Sequence, residues 1–389
     1  MPRNRVIYQS EGLYVSKSAS LGGVDDHEQL NRIQSANYSF SIERQDVNQY
    51  GDLARIDSLV LSPPTVSLDF SYYLTDGFNE RSLGFFVQNT GLKAGSQRGA
   101  NADPDSFGNF ASGQLASSSG TNFFIVTSPA GDDLNTAGAG TALDGNDSVI
   151  GVGNCYISDY SVELAVGSLP TVNVSVEGAN MNSIAAYTAG FASPAIDQEA
   201  GTAYTLAPIT LPPPTQDGGI TGTYNTAPIT ALRPGDITLT LTNLDSSSVV
   251  EIQGADGAHV QSASISIPLS RTPIEKLGSK FPFSRDVDFP VSCTFSVSAV
   301  VSATQANNLV TILDLPKANA EIMIKDSAGV NAVQYRMKGL KIDSQSFSSS
   351  IGSNKTVDLT FSTQIGGPKD EANGIFMSGI GFNPVFTTA

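Results

Sequence analysis

The chain holds two histidines, His27 and His259, and two cysteines, Cys155 and Cys293. A general base or a transition-metal centre would draw on these residues first, because imidazole titrates near neutrality and both types ligate such metals. Each histidine falls in a polar stretch without a second ligand at metal-binding spacing, so both are expected as solvated loop residues. No serine or cysteine sits in a nucleophile elbow. Both thiols are expected as buried, small apolar side chains, with Cys293 at an inward strand position and no disulfide required. Asp103-Pro104-Asp105-Ser106-Phe107-Gly108 has two acids and the glycine of a calcium loop. It lacks the third acid and the bidentate glutamate, and reads as a surface turn. Gly138-Ala139-Gly140 lacks the strand and helix that a dinucleotide loop needs. The carboxylates are spread along polar segments with no pair in an apolar pattern. The chemistry expected is therefore structural, with no catalytic, cofactor or metal site.

What the sequence does contain is a repeated scaffold. Shifted by 227, Gln34, Ser35, Ala36, Ser39, Arg44, Gly51, Val60, Pro63 and Ser71 fall on Gln261, Ser262, Ala263, Ser266, Arg271, Gly278, Val287, Pro290 and Ser298. The apolar positions between them match too. Tyr38, Phe40 and Ile42 meet Ile265, Ile267 and Leu269, while Val66, Leu68 and Phe70 meet Cys293, Phe295 and Val297. This alternation predicts two strands with the same inward face in each window, joined by a link of the same length. A second shift, of 185, brings Ile157, Ser161, Gly167, Ser168, Thr171 and Val172 onto Ile342, Ser346, Gly352, Ser353, Thr356 and Val357. The 42-residue difference between the shifts places an insertion in the first copy. Repeats of this kind decide the fold before any single motif does.

Composition agrees with β structure. The chain has 389 residues, a net charge of −16 and 15% charged residues. That charge argues against binding nucleic acid by phosphate neutralisation, though not against a surface past which nucleic acid slides. The first residues lack the apolar core of a signal peptide, and no apolar run approaches a membrane span. A soluble protein made in a cytoplasm is expected.

The reading gives a first domain over 1–181, with a long Gly/Ser/Asn/Asp-rich insertion at about 89–147 around a strand at 122–127. A Pro-rich linker over 182–230 includes Leu211-Pro212-Pro213-Pro214 and is expected extended. A second domain covers 231–365, led by a strand at 236–243, and an apolar C-terminal arm covers 366–389. Short helices are predicted at 79–88, from Leu83, Phe86 and Val87, and at about 303–313. Long loops inside compact domains are commonly functional. Deleting about 90–118 is therefore expected to leave both domains folded, and to weaken the stacking of rings if the chain forms them. The arm carries too much apolar surface to stay free and is expected to dock.

The repeated unit, with its links Arg271-Thr272-Pro273-Ile274-Glu275-Lys276-Leu277-Gly278 and Arg44-Gln45-Asp46-Val47-Asn48-Gln49-Tyr50-Gly51, resembles the tail tube proteins of long-tailed, siphovirus-like bacteriophages in a duplicated-domain variant. The resemblance implies a mainly β fold: two tandem, related, sandwich- or barrel-like domains, each of two packed antiparallel sheets with a short flanking helix. It implies three chains in a pseudo-sixfold ring, and rings stacked into a hollow tube through which double-stranded DNA passes without adhering. It also implies contacts with tape-measure, terminator and distal tail proteins, no membrane, no cofactor, and location in the virion tail after assembly in the host cytoplasm. Asp57, Asp69, Asp286 and Asp288 then become candidate lumen-facing acids, although the sequence leaves open whether they face outward. Phe107, Phe110 and Leu115 become a candidate inter-ring contact loop, and Phe376, Phe382 and Phe386 a candidate docking arm. A β-rich carbohydrate-binding or adhesin module is the alternative. Against it stands the absence of Trp, while the 12 Tyr could stack on sugars in its place. A β-sandwich enzyme has only the carboxylates in its favour.

Overall fold

In this computed structural model, residues 10–16, 27–60, 62–88, 108–115, 120–129, 134, 143, 145–187, 190–197, 202–203, 208–212, 232, 235, 237–242, 259–278, 281–282, 284–300, 317–325, 331–352, 354–367, 370 and 372–379 are described. The first half of the chain carries β1 (Glu11–Ser16), β2 (His27–Gln29), β3 (Ile33–Ser41), β4 (Arg44–Val47), β5 (Asp57–Val60), β6 (Thr65–Tyr73), α1 (Phe78–Ser82) and β7 (Val87–Gln88). It continues with α2 (Ser112–Leu115), β8 (Thr121–Thr127), β9 (Ser148–Ala165), β10 (Thr171–Gly178) and β11 (Asn180–Ile184). After β12 (Ile196–Asp197) and β13 (Thr202–Ala203), the second half carries β14 (Ile237–Thr242), β15 (His259–Pro268), β16 (Arg271–Ile274), β17 (Ser284–Val287) and β18 (Val291–Val300). It ends with β19 (Ala318–Lys325), β20 (Asn331–Ser348), β21 (Thr356–Ile365) and β22 (Gly374–Ser378).

Eight strands form one continuous antiparallel layer in the order β3-β6-β10-β9-β15-β18-β21-β20. Alternation builds it. Val66, Leu68, Phe70 and Tyr72 of β6 are buried, as are Val172, Val174 and Val176 of β10 and Cys293, Phe295 and Val297 of β18. The long strands β9 and β20 run on into a second layer. Residues 148–153 of β9 pair with β8 and β11, and β1 and β2 extend that sheet. Residues 334–338 of β20 pair with β22 on one side and β19 on the other, and β14 extends that sheet beyond β19. The layers pack face to face, with the Phe70 and Phe123 rings 5.8 Å apart. A single apolar core runs through both halves. The fold is mainly β with large antiparallel sheets and few helices, and no barrel closes.

An offset of 227 carries β4 and β5 onto β16 and β17, and β3 and β6 onto β15 and β18 to within one residue. Each half thus has a two-stranded hairpin off one end of the eight-stranded layer, and a tight turn off the other end between β9 and β10 or β20 and β21. Gly167 and Gly352 hold those turns at φ 85° and 86° with open space around them. The glycine there answers a backbone requirement and not a packing one.

Several expectations are corrected. His27 is a buried residue of β2 with its ring against Phe124, where a solvated loop residue was expected; its strand pairs with β1. His259 is exposed at the start of β15. The segment 79–88 is a five-residue helix followed by β7, because Phe85, Phe86 and Val87 enter the core as extended chain. Part of the Pro-rich connection packs on the first half. Tyr187, Phe191, Ile209 and Leu211 form a second apolar cluster with Tyr14, Phe124 and Val126 on the far face of β1 and β8. Tyr187 Oη donates to Ile209 O and accepts from the Leu211 N–H, which fixes this cover. The Phe123–Val126 run is continuous because both faces of β8 are covered. Both cysteines are buried and free. The helix expected at 303–313 and the loops at 103–107 and 138–140 lie outside the described residues.

Candidate functional site

The feature most open to a partner is the rim of the eight-stranded layer. Its centre is a joint between the halves, where β9 pairs antiparallel with β15 from Asp159↔Pro268 to Ala165↔Ser262. The Leu269 N–H donates to Ser158 O and the Val166 N–H to Gln261 O, extending the ladder at both ends. Val162 lies opposite Ile265 on the inward face, and both are buried.

Beside the joint sits a buried polar cluster. Tyr72 Oη and Tyr160 Oη donate to Glu80 Oε1 at 2.9 and 3.2 Å, and Tyr160 Oη lies 2.9 Å from Tyr335 Oη. These side chains come from β6, β9, α1 and β20, so the cluster ties the halves together. Asn79 seats the helix by exchanging hydrogen bonds with the Asn31 backbone. Burial pushes the Glu80 carboxyl up to about 7; the two tyrosine hydroxyls pull it down and Asp76 raises it further. Among the described residues, the side chains that hydrogen-bond this carboxyl, Tyr72 and Tyr160, are themselves buried, so the cluster is closed off inside the core.

The outer rims differ from the joint. β3 pairs only with β6, and residues 341–348 of β20 pair only with β21 among the described residues. Ile265, Ile267 and Leu269 of the joint are 1%, 0% and 0% exposed. The residues aligned with them, Tyr38, Phe40 and Ile42, are 38%, 59% and 40% exposed, and Phe347 on the other rim is 40% exposed. An apolar, unpaired edge of this kind is a template for another strand. Sequence alignment matched these residues to a buried face; it did not show that one copy lacks its cover.

The face of the layer turned away from the core is a field of small polar side chains. It includes Ser35 and Ser39 of β3, hydrogen-bonded to Ser71 and Ser67 of β6 at 2.7 and 2.8 Å. Across the joint Ser161 faces Ser266, and within the second half Ser264 faces Ser296. Asp69, Glu177, Glu163 and Asp358 stand exposed in this face.

Of the four acids expected together, only Asp69 lies in that face. Asp57 and Asp286 belong to the end hairpins, and Asp288, just beyond β17, accepts from Thr272 Oγ1. Phe110, expected in a loop reaching another ring, is fully buried instead. Its ring stacks on Phe85 at 4.3 Å and meets Tyr160 at 5.0 Å. Leu115 ends α2, and Phe107 lies outside the described residues. Phe376 docks on its own chain, buried in β22 against β20, while Phe382 and Phe386 lie outside the described residues. The Phe110 N–H donates to Ile375 O, so the insertion and the arm are clasped together. Among the described residues no cluster of His, Cys, Asp and Glu is placed to hold a metal, and no helix is long and apolar enough to cross a membrane.

No protein family matches the sequence, and no curated protein matches it. Among solved structures, the chain is similar to a chain of the anti-feeding prophage baseplate, in a 6-fold symmetrised cryo-EM structure. Identity there is 12%, covering 38% of this chain and 93% of that one, with a TM-score of 0.23. It is also similar to a chain of the cap that terminates the anti-feeding prophage tube. Identity there is 10%, covering 41% of this chain and 95% of that one, with a TM-score of 0.24.

Proposed function

We propose that this chain is a structural protein, not an enzyme, that polymerises edge to edge into closed rings stacked as the hollow tail tube of a virion. The observation that carries the reading is the β9–β15 joint: two four-stranded groups of matching sequence already meet inside one chain, and both outer rims stay open among the described residues. A head-to-tail contact between such rims closes a ring when its rotation divides the circle. On this reading the chain is a tandem duplication, and the joint is a covalently linked version of the contact between chains.

Strand count sets the size. At about 4.8 Å between strands, sixteen strands close to a backbone diameter of about 24 Å and twenty-four to about 37 Å, each widened by tilt in the same proportion. Three chains thus leave a channel with room for a nucleic-acid duplex once side chains line it; two leave a much tighter one. The Ser- and Thr-covered face becomes the channel wall, because the second layer occupies the other side. Its short side chains and exposed carboxylates suit a polyanion that must pass without adhering. The hairpins at one end and the turns at the other carry Tyr50, Leu53 and Leu277, and Val166 and Ile351, all exposed. Apolar tips at both ends suit ring stacking. Other tail proteins would cap and fill the tube.

Electron microscopy of the concentrated protein tests this. Rings or tubes of uniform width are expected. A monodisperse monomer that binds glycans would instead select the carbohydrate-binding module.

A further inference from the structure

We propose that β20 of one chain pairs antiparallel with β3 of a second copy, in the register that sets Tyr38 opposite Phe347 and Ser39 opposite Ser346. This rests on the ring-forming reading above and fixes its joint residue by residue. The register comes from the molecule itself. The internal joint pairs β9 with β15, and the two sequence offsets carry β9 onto β20 and β15 onto β3. Val162↔Ile265 becomes Phe347↔Tyr38, Ser161↔Ser266 becomes Ser346↔Ser39, and Tyr160↔Ile267 becomes Gln345↔Phe40. The flanking hydrogen bonds carry over in the same way, from Ile42 N–H to Asp343 O and from Ile351 N–H to Gln34 O.

Two independent observations agree with this register. Tyr38 lies across from Leu68, and Phe347 across from Val357. Both partners are buried on the core side, so the two aromatics already face the same way. A one-residue slip would turn one of them into the Ser face, so the apolar pattern excludes odd slips. Gln345 Nε2 is buried without a hydrogen-bond partner among the described residues, at the position where Tyr160 makes its bonds in the closed joint. That donor sits beside the open edge, where a second chain would bring new acceptors.

The equivalence ends at the hairpins. Arg271 donates to Gln114 O and lies 4.9 Å from the Tyr156 ring, and Arg285 pairs with Glu177 at 3.6 Å. The matching positions hold Arg44, Lys341, Ser58 and Ser362, which cannot repeat those contacts. The joint between chains therefore relies on the strand edges and the aromatic pair, and is the weaker of the two.

Paired cysteines test the register, because a disulfide forms only where Cβ atoms come within about 4.5 Å. The double variant Ser39→Cys/Ser346→Cys is oxidised at assembling concentration beside Ser39→Cys/Ser344→Cys and Ser39→Cys/Ser348→Cys. Linked species of two and three chains are expected from the first, with loss of those bands in the other two. Linking through 344 or 348 would overturn the register and leave ring formation standing. Rings visible by microscopy without linking from any pair would overturn edge pairing alone. Absence of both rings and links would overturn this joint together with the ring-forming reading.

Discussion

Val162 and Ile265 lie directly opposite each other across the joint between the halves, and both are fully withdrawn from solvent. Their aligned counterparts, Phe347 and Tyr38, sit on the two outer rims and are each about two-fifths exposed. Two aligned positions thus hold a covered contact in the joint and exposed aromatics on the rims.

The two positions should respond oppositely to truncation. Ile265→Ala opens a cavity in the shared core and is expected to cost about 2–5 kcal/mol of folding stability. Tyr38→Ser and Phe40→Ser remove exposed side chains and should change stability by no more than about 0.5 kcal/mol. They should nonetheless abolish association. Thermal melting and sedimentation of the same samples separate the effects; equal destabilisation by both kinds of variant would contradict the assignment.

Glu80 makes folding stability depend on pH. Its carboxyl is raised in the folded chain to about 7 from an ordinary 4.5, so the folded state binds the proton more tightly. Its contribution is fully favourable at low pH, where the proton stays on. Stability is lost as pH rises from about 4.5 through about 7, and levels off above that. The full span is worth on the order of 3 kcal/mol. Glu80→Gln should flatten this slope and stabilise the protein at pH 8, measured by urea unfolding across the range. A variant with the slope of the parent would refute the carboxyl's role.

Phe110 reverses the expectation for the insertion. Its ring fills the space between Phe85 and Tyr160, and Gln114 bonds both Leu83 O and, through its own carbonyl, Arg271. Phe110→Ala should cost about 3–5 kcal/mol. A deletion running through 118 should unfold the first half, whereas one stopping at 107 should not. Circular dichroism melts of the two deletions decide this.

The end hairpins offer a separate handle. Leu53→Ser with Leu277→Ser alters only fully exposed tips. Rings should persist and their stacking should fail, seen as single rings in place of tubes. Loss of the rings themselves would move the hairpins into the joint within the ring.

Much of this fold was legible in the sequence, because alternation with a period of two names the inward face of a strand. The matched windows located β3, β6, β15 and β18 and showed links of equal length, though not that each link folds into a hairpin. Alternation does not say what covers the inward face. Tyr38 and Ile265 read alike, and only the order of strands shows one under a neighbour and the other bare. Phe110 was missed for a related reason: a lone aromatic in a Gly- and Ser-rich stretch carries no period. His27 was missed because two or three residues of strand are too few to alternate.

The most direct test of the central claim is native mass measurement at rising protein concentration. A closed species of three times the 40.6 kDa chain mass is predicted, followed by integer multiples as rings stack. A chain that stays monomeric at every concentration, or an open ladder that passes through three without a preferred size, would contradict it.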